Sequence, residues 1–175
     1  NTIVSKKDME ETYLPAFKKC VIEGRAYSVM GAYNRVNEEP CCANKTLLID
    51  ILRKKWGFKG YVVSDCGAVK DIYTNHNIVK TPEEAAALAV KNGCDLNCGN
   101  VYLDLIKAYK KSLITEVEIN TALKRLLRAK FKLGMFDPED RVPYAQIPIE
   151  INDCEEHRGL ALEVARESIV LLKND

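Results

Sequence analysis

The chain has 175 residues, 47% of them apolar, with a mean hydropathy of -0.20, which suits a soluble globular protein able to bury a substantial core. Twenty-six basic residues against 25 acidic ones leave a net charge of +1. No Lys/Arg cluster or basic face emerges to track a phosphate backbone, so a nucleic-acid partner is not expected. No apolar run approaches the roughly 18 residues of a membrane span, and residues 1–20 hold no apolar signal-peptide core, so no membrane association is expected either.

Ser5 and Asp8 form a near-match to a capping box ahead of Met9, Tyr13, Leu14, Phe17, Cys20 and Val21, whose spacing predicts a helix from Lys6 to Glu23, bent at Pro15 and closed by Gly24. Ala26 to Tyr33 follows as a nearly continuous apolar run, the pattern of a parallel strand covered on both faces. A polar loop spans Asn34 to Asn44. Leu47, Leu48, Ile51, Leu52 and Trp56 recur at helical spacing, Gly57 stops that helix, and Tyr61 to Ser64 is the second strand.

After Asp65 the segment through His76 and Val79 reads as irregular. Thr81-Pro82-Glu83-Glu84 is an N-cap with Pro at the first helical position, opening a helix over Ala85 to Asn92 that Gly93 ends. Cys94-Asp95-Leu96-Asn97 is a third, very short strand. Leu103 to Lys111 and Glu116 to Lys132 are amphipathic helices, the second capped by Thr115. Repeated strand-then-helix units of this size predict an α/β fold with parallel strands joined by crossover helices.

Beyond Leu133, Gly134, Pro138, Pro143 and Pro148 interrupt any regular element, so residues 134–153 form a linker or wrapping loop. Asp153 caps a last helix over Glu155 to Ser168, and Ile169 to Leu172 has the apolar run of a buried strand that begins another α/β domain. The expected organisation is therefore 1–133, 134–153 and 154–175.

Asp65 is the chemically informative residue. A buried-strand pattern, Gly60 to Ser64, stops on its carboxylate and gives way at once to the turn-permissive Cys66, Gly67 and Ala68. In α/β proteins that edge gathers substrates and catalytic groups, although Asp also caps helices by accepting backbone N–H bonds. Both roles fit the spacing. Asp95, near the third strand, can equally be a cap or a loop tie. The seven cysteines (Cys20, Cys41, Cys42, Cys66, Cys94, Cys98 and Cys154) fit no zinc ladder, so no metal is expected. Their odd count excludes complete pairing within one chain.

Four stretches carry a family resemblance: Ser28 to Asn37, Leu52 to Asp65, Gly93 to Gly99 and Ala165 to Asn174. In that order they resemble the second half of the catalytic barrel of glycoside hydrolase family 3, across nearly the whole chain. The resemblance implies part of a (β/α)8 barrel, with no cofactor, followed by a linker into a second α/β domain. It implies a retaining β-glycosidase with Asp65 as the nucleophile and Tyr33 as the active-site tyrosine, its hydroxyl donating to that carboxylate and orienting it. Without the family, Tyr33 reads as an ordinary core aromatic.

Glucose-preferring members carry Trp after the nucleophile; Asp65-Cys66 with Asn97-Cys98-Gly99 resembles the xylosidase-type branch instead. That places Cys66 beside the substrate and implies a Cys66–Cys98 disulfide near the entrance, against the alternative of two free thiols. A bond between the neighbours Cys41 and Cys42 would be strained. The family's sugar-gripping Lys-His pair belongs to earlier barrel loops, and neither His76 nor His157 follows a lysine here. The acid/base of this branch belongs to the following domain, so the isolated chain is expected to be inactive and, with a bare core face, prone to self-association.

The implied substrate is an oligosaccharide or aryl glycoside with a terminal β-xylosyl or β-glucosyl residue, and the implied location is periplasmic or secreted. Two other readings stand beside this one. The first is a non-catalytic glycan-binding or scaffold descendant of the same fold. The second is another doubly wound α/β domain with Asp65 at a metal or phosphate site, although no glycine-rich phosphate loop is present.

Overall fold

A computed structural model describes residues 1–174, which divide into two compact units, Asn1–Lys132 and the remainder from Leu133. The first is α/β and carries every candidate site residue. It opens with α1 (Lys6–Asp8), where Ser5 Oγ accepts from the Asp8 backbone N–H at 3.0 Å. A π-wound turn, Met9–Tyr13, follows, and the chain returns to regular winding in α2 (Leu14–Ile22). Pro15 explains the widened turn, because it lacks an N–H and its ring crowds the carbonyl four residues back. The left-handed residue that ends the helix is Arg25 (φ 53°), not the expected Gly24.

The first strand is shorter than its apolar run: β1 covers only Ser28–Gly31. The expected loop at 34–44 contains an antiparallel ribbon, β2 (Arg35–Val36) with β3 (Glu39–Pro40), turned by Asn37 and Glu38 in left-handed conformation. Asn tolerates that region by local side-chain bonding, a turn signal hidden inside a polar stretch. A π-wound helix over Thr46–Lys55 ends with Trp56 N–H donating to Ile51 O at 3.0 Å, and Gly57 (φ 70°) makes the stop.

Next, β4 (Tyr61–Ser64) lies parallel to β1 in the register Ser28↔Tyr61 through Gly31↔Ser64. The expected third strand at Cys94 to Asn97 is reduced to one parallel bridge, Val63↔Leu96. Asp95 is the reason: its side chain turns back to bond the Val62 N–H at 2.9 Å, and the ladder is not extended in that direction. The sheet is covered on one face, not two. Val62 and Ser64 of β4 are buried on the helix side, while Met30 is exposed and Val63 half-buried on the other; an open apolar groove of about 400 Å³ runs along β1, lined by Val29 and Met30 with Leu14, Phe17 and Leu48 of the helices. Alternation along a strand puts Asp65 on the face of Val63.

The segment expected to be irregular after Asp65 holds α3 (Ala68–Thr74), whose Ala68, Val69 and Ile72 enter the core. Ala68, Val69, Ile72 and Tyr73 do recur at helical spacing, but over seven residues, a window too short to announce a helix. Then α4 (Pro82–Lys91) begins at a full capping box: Thr81 Oγ1 accepts from Glu84 N, and Glu84 Oε2 accepts from Thr81 N at 3.0 Å. Ala85, Ala86 and Ala89 are fully buried, small enough to bring this helix close to the strands. A 3-10 turn, Val101–Asp104, leads into α5 (Leu105–Lys110), and α6 (Glu116–Lys132) closes the unit.

The second unit contains short 3-10 turns and α7 (Glu155–Ser168). The N-cap of α7 is Cys154, not Asp153; the Asp153 carboxylate is taken by Arg158, whose Nη2 donates at 2.8 Å. Ile169 to Leu172 form no strand and stay exposed, because a strand needs a hydrogen-bonded neighbour and none of the described residues supplies one.

Asp95 ties the lower end of the sheet. Its fully buried carboxylate accepts from Arg53 Nη2 at 2.5 Å, Arg125 Nη1 at 2.9 Å and the Val62 N–H. Arg53 also donates to Gly60 O at 3.0 Å and lies over the Phe58 ring, while its burial lowers the guanidinium pKa against the opposing pull of Asp95. Removing one member of a buried pair leaves an unpaired charge and costs about 3–5 kcal/mol. Asp95→Ala is therefore expected to lower unfolding free energy by that order, read from urea midpoints, and a change below about 1 kcal/mol would contradict the tie.

Candidate active site

The site grows from the last rungs of the β1–β4 ladder. The Asp65 backbone N–H donates to Gly31 O at 2.9 Å, so the pairing outlasts the strand by one residue and delivers the Asp65 side chain at its C-terminal end. The carboxylate does not cap α3. That N-cap is Gly67 in left-handed conformation (φ 86°), while Asp65 Oδ1 accepts from the Cys66 N–H at 2.7 Å. Asp65 is half-buried and, among the described residues, takes part in no salt bridge.

Tyr33 lies two residues beyond β1 with 46% of its surface exposed, too open for a core aromatic. Its hydroxyl donates to the Cys66 carbonyl at 2.6 Å and also lies in hydrogen-bonding proximity to the Asp65 carboxylate, the expected acceptor. The carbonyl lies within the same turn, so the phenol still sits beside Asp65. Partial desolvation, then hydrogen bonding with the Asp65 carboxylate and its charge, raise the Tyr33 pKa, which keeps the hydroxyl protonated and able to donate.

Cys66 and Cys98 are disulfide-bonded, and around the bond the two loops share a further set of contacts. Gly67 N–H donates to Cys98 O at 2.8 Å, Cys98 N–H donates to Ser64 Oγ at 2.9 Å, and Ser64 Oγ donates to Asn97 Oδ1 at 3.2 Å. Cys66 is exposed at the rim. Cys41 and Cys42 are both free and buried, and burial raises the Cys41 thiol pKa. Asp95 lies apart from this cluster, held by the arginines that bind the opposite end of the sheet.

Two contributors escape a reading of the sequence. Ser64 looks like an ordinary strand residue, yet it links the Asp65 turn to the Asn97-Cys98 loop. His76, in a segment without periodicity, reaches the Tyr33 carbonyl with Nε2 at 2.8 Å. Neither has a local signal; both pairings depend on loops more than 30 residues apart in sequence. Among the described residues no group of three or more His, Cys, Asp or Glu could hold a metal ion, and no helix is long and apolar enough to cross a membrane.

The geometry can be set beside known proteins. A profile of the Glycosyl hydrolase family 3 N terminal domain matches residues 1–129. Beta-D-xylosidase 1 of Arabidopsis thaliana is 44% identical over 175 residues, covering 99% of this chain and 22% of that protein. A xylan 1,4-beta-xylosidase of Xylanibacter ruminicola is 41% identical, covering 99% of this chain and 20% of that protein. Among solved structures, a GH3 exo-beta-xylosidase in complex with a xylobiose aziridine activity-based probe superposes with a TM-score of 0.92 at 34% identity, over 100% of this chain and 23% of that one. A beta-glucosidase from Listeria innocua in complex with glucose gives 0.85 at 31% identity, over 99% and 24%.

The chain belongs to glycosyl hydrolase family 3, a family of glycoside hydrolases. It spans about a fifth to a quarter of the length of the relatives it matches.

The disulfide is directly countable. In denaturant without reductant, five of the seven cysteines are expected to react with an alkylating agent, and all seven after reduction. Seven reacting without reductant would refute the Cys66–Cys98 bond.

Proposed function

We propose that this chain supplies the nucleophile-bearing part of a retaining β-glycosidase that removes terminal β-xylosyl or β-glucosyl residues from oligosaccharides or aryl glycosides. The observation that carries the reading is Asp65: a half-buried carboxylate without a salt bridge among the described residues, at the C-terminal end of β4, framed by Tyr33 and the Cys66–Cys98 loop. On this reading the first unit is the C-terminal part of a (β/α)8 barrel, and the outward face of β1 and β4 belongs to its lumen.

A carboxylate nucleophile has to be ionised and aimed at the anomeric carbon from about 3 Å. In the first step an Asp65 oxygen bonds to that carbon as the bond to the leaving oxygen breaks. A second carboxyl about 5–5.5 Å away protonates the leaving group. Water, deprotonated by the same partner, then hydrolyses the glycosyl ester and frees Asp65.

Tyr33 orients the nucleophile through its neighbouring protonated phenol, and Cys66 meets the sugar at the rim. The acid/base lies in another part of the whole protein. A xylosyl preference is favoured by the similarity to proteins named β-xylosidases and by Cys66 standing at a position where glucose-preferring members carry Trp. The enzyme would act in a periplasmic or extracellular setting, without a nucleic-acid or membrane partner.

In the whole protein, Asp65→Asn is expected to reduce kcat on aryl β-xyloside by a factor on the order of 10⁴. Retained activity would remove Asp65 from the mechanism, and a parent inert on both xyloside and glucoside would leave the glycan-binding scaffold as the better reading. The 175-residue chain alone is expected to hydrolyse neither substrate and to self-associate through its bare sheet face. Turnover by the purified chain, or a monodisperse monomer in light scattering, would contradict the respective half of that statement.

A further inference from the structure

The turn that carries Tyr33 is held at three consecutive carbonyls. Ala32 O accepts from Cys42 Sγ at 3.6 Å, Tyr33 O from His76 Nε2 at 2.8 Å, and Asn34 O from Cys41 N–H at 3.0 Å. Two of these donors come from the turn at residues 41–42. The third, at Tyr33 itself, is a side chain from beyond α3. A carbonyl can only accept, so the ring must carry its proton on Nε2; the neutral Nε2–H tautomer and the imidazolium both meet that requirement.

The other end of Tyr33 is fixed by Cys66 O, at the start of the same segment. Between Cys66 and His76 lies α3, seven residues and therefore about 10 Å long, comparable to the reach of a tyrosine from carbonyl to phenol oxygen. Tyr33 thus bridges the two ends of α3. That helix is a firm support: Val69 and Ile72 are fully buried. Its end is closed by His76 N–H to Asp71 O at 2.8 Å and Ile78 N–H to Ile72 O at 3.0 Å. His76 is only half-buried and belongs to neither apolar cluster, so its specific contribution is the bond to Tyr33.

We propose that His76 is a positioning residue that holds the Tyr33 main chain so that its phenol meets the Cys66 carbonyl beside Asp65. The proposal rests on the reading of Asp65 as nucleophile. Without the His76 bond, the backbone at Tyr33 loses its link to α3, and the phenol is no longer fixed at both ends.

The test is a double-mutant cycle in the whole protein with aryl β-xyloside. His76→Leu is expected to lower kcat about ten- to hundredfold, yet to cause little further loss when added to Tyr33→Phe, because both changes remove the same placement. His76→Gln, whose amide nitrogen can take the place of Nε2, is expected to keep most of the activity, whereas the shorter His76→Asn is not. Melting temperatures check the folding of each variant, and the Gln/Asn pair carries the comparison if the Leu variant is unstable.

If Asp65→Asn is as active as the parent, the nucleophile assignment falls and the His76 proposal with it. The His76 proposal alone falls if Asp65→Asn is inactive and any one of three results is found: His76→Leu matches the parent, its loss is the same in both Tyr33 backgrounds, or Tyr33→Phe has no effect.

Discussion

One parallel pairing organises this protein. The ladder between β1 and β4 runs from Ser28↔Tyr61 to Gly31↔Ser64 and is extended by the Asp65 N–H to Gly31 O. Every position in the candidate site is counted from that rung: Asp65 supplies it, Tyr33 follows two residues past Gly31, and Cys66 is the next residue along. Gly31 is required there for a spatial reason. A Cβ at this position would lie 2.9 Å from Cys42 Sγ and 3.3 Å from Cys42 Cα, so any side chain would push the turn at 41–42 away from the carbonyls it holds. Such overpacking typically costs 1–3 kcal/mol, and here the displacement would reach Tyr33 as well.

The two ends of the sheet treat their carboxylates in opposite ways. Asp95 is fully buried and neutralised by Arg53 and Arg125. Asp65 is half-buried, without a salt bridge among the described residues, and accepts a hydrogen bond from the Cys66 backbone N–H. An ion pair like that of Asp95 would disable a nucleophile by committing its oxygens to cations. The separation of roles therefore comes from which end of the strands each residue occupies, and both ends are set by the same short ladder.

The repeating helices and strands were legible because their signals are local. Thr81-Pro82-Glu83-Glu84 announces α4 through capping chemistry that needs only neighbours, and Tyr61 to Ser64 reads as a strand from its own pattern. Asp65 and Tyr33 stood out through the family motifs around them. What stayed hidden depends on long-range pairing. The strand at Cys94 to Asn97 shrank to a bridge because a distant arginine pair draws Asp95 to the opposite end of the sheet. Ile169 to Leu172 has strand composition, but composition cannot supply a partner. His76 carries no periodic or capping signal at all, since its bond crosses 43 positions.

The Cys66–Cys98 bond closes a covalent ring over a separation of 32 residues, and α3 and α4 both lie inside it. In the chain-entropy account, a loop of that size restricts the unfolded chain by roughly 3–4 kcal/mol. The ring also changes what a single backbone cut means. Cleavage in the stretch at 75–80, between those helices, would leave both fragments joined through sulfur. Asp65 would remain linked to the Asn97-Cys98 loop, and the nick would be visible by electrophoresis only after reduction.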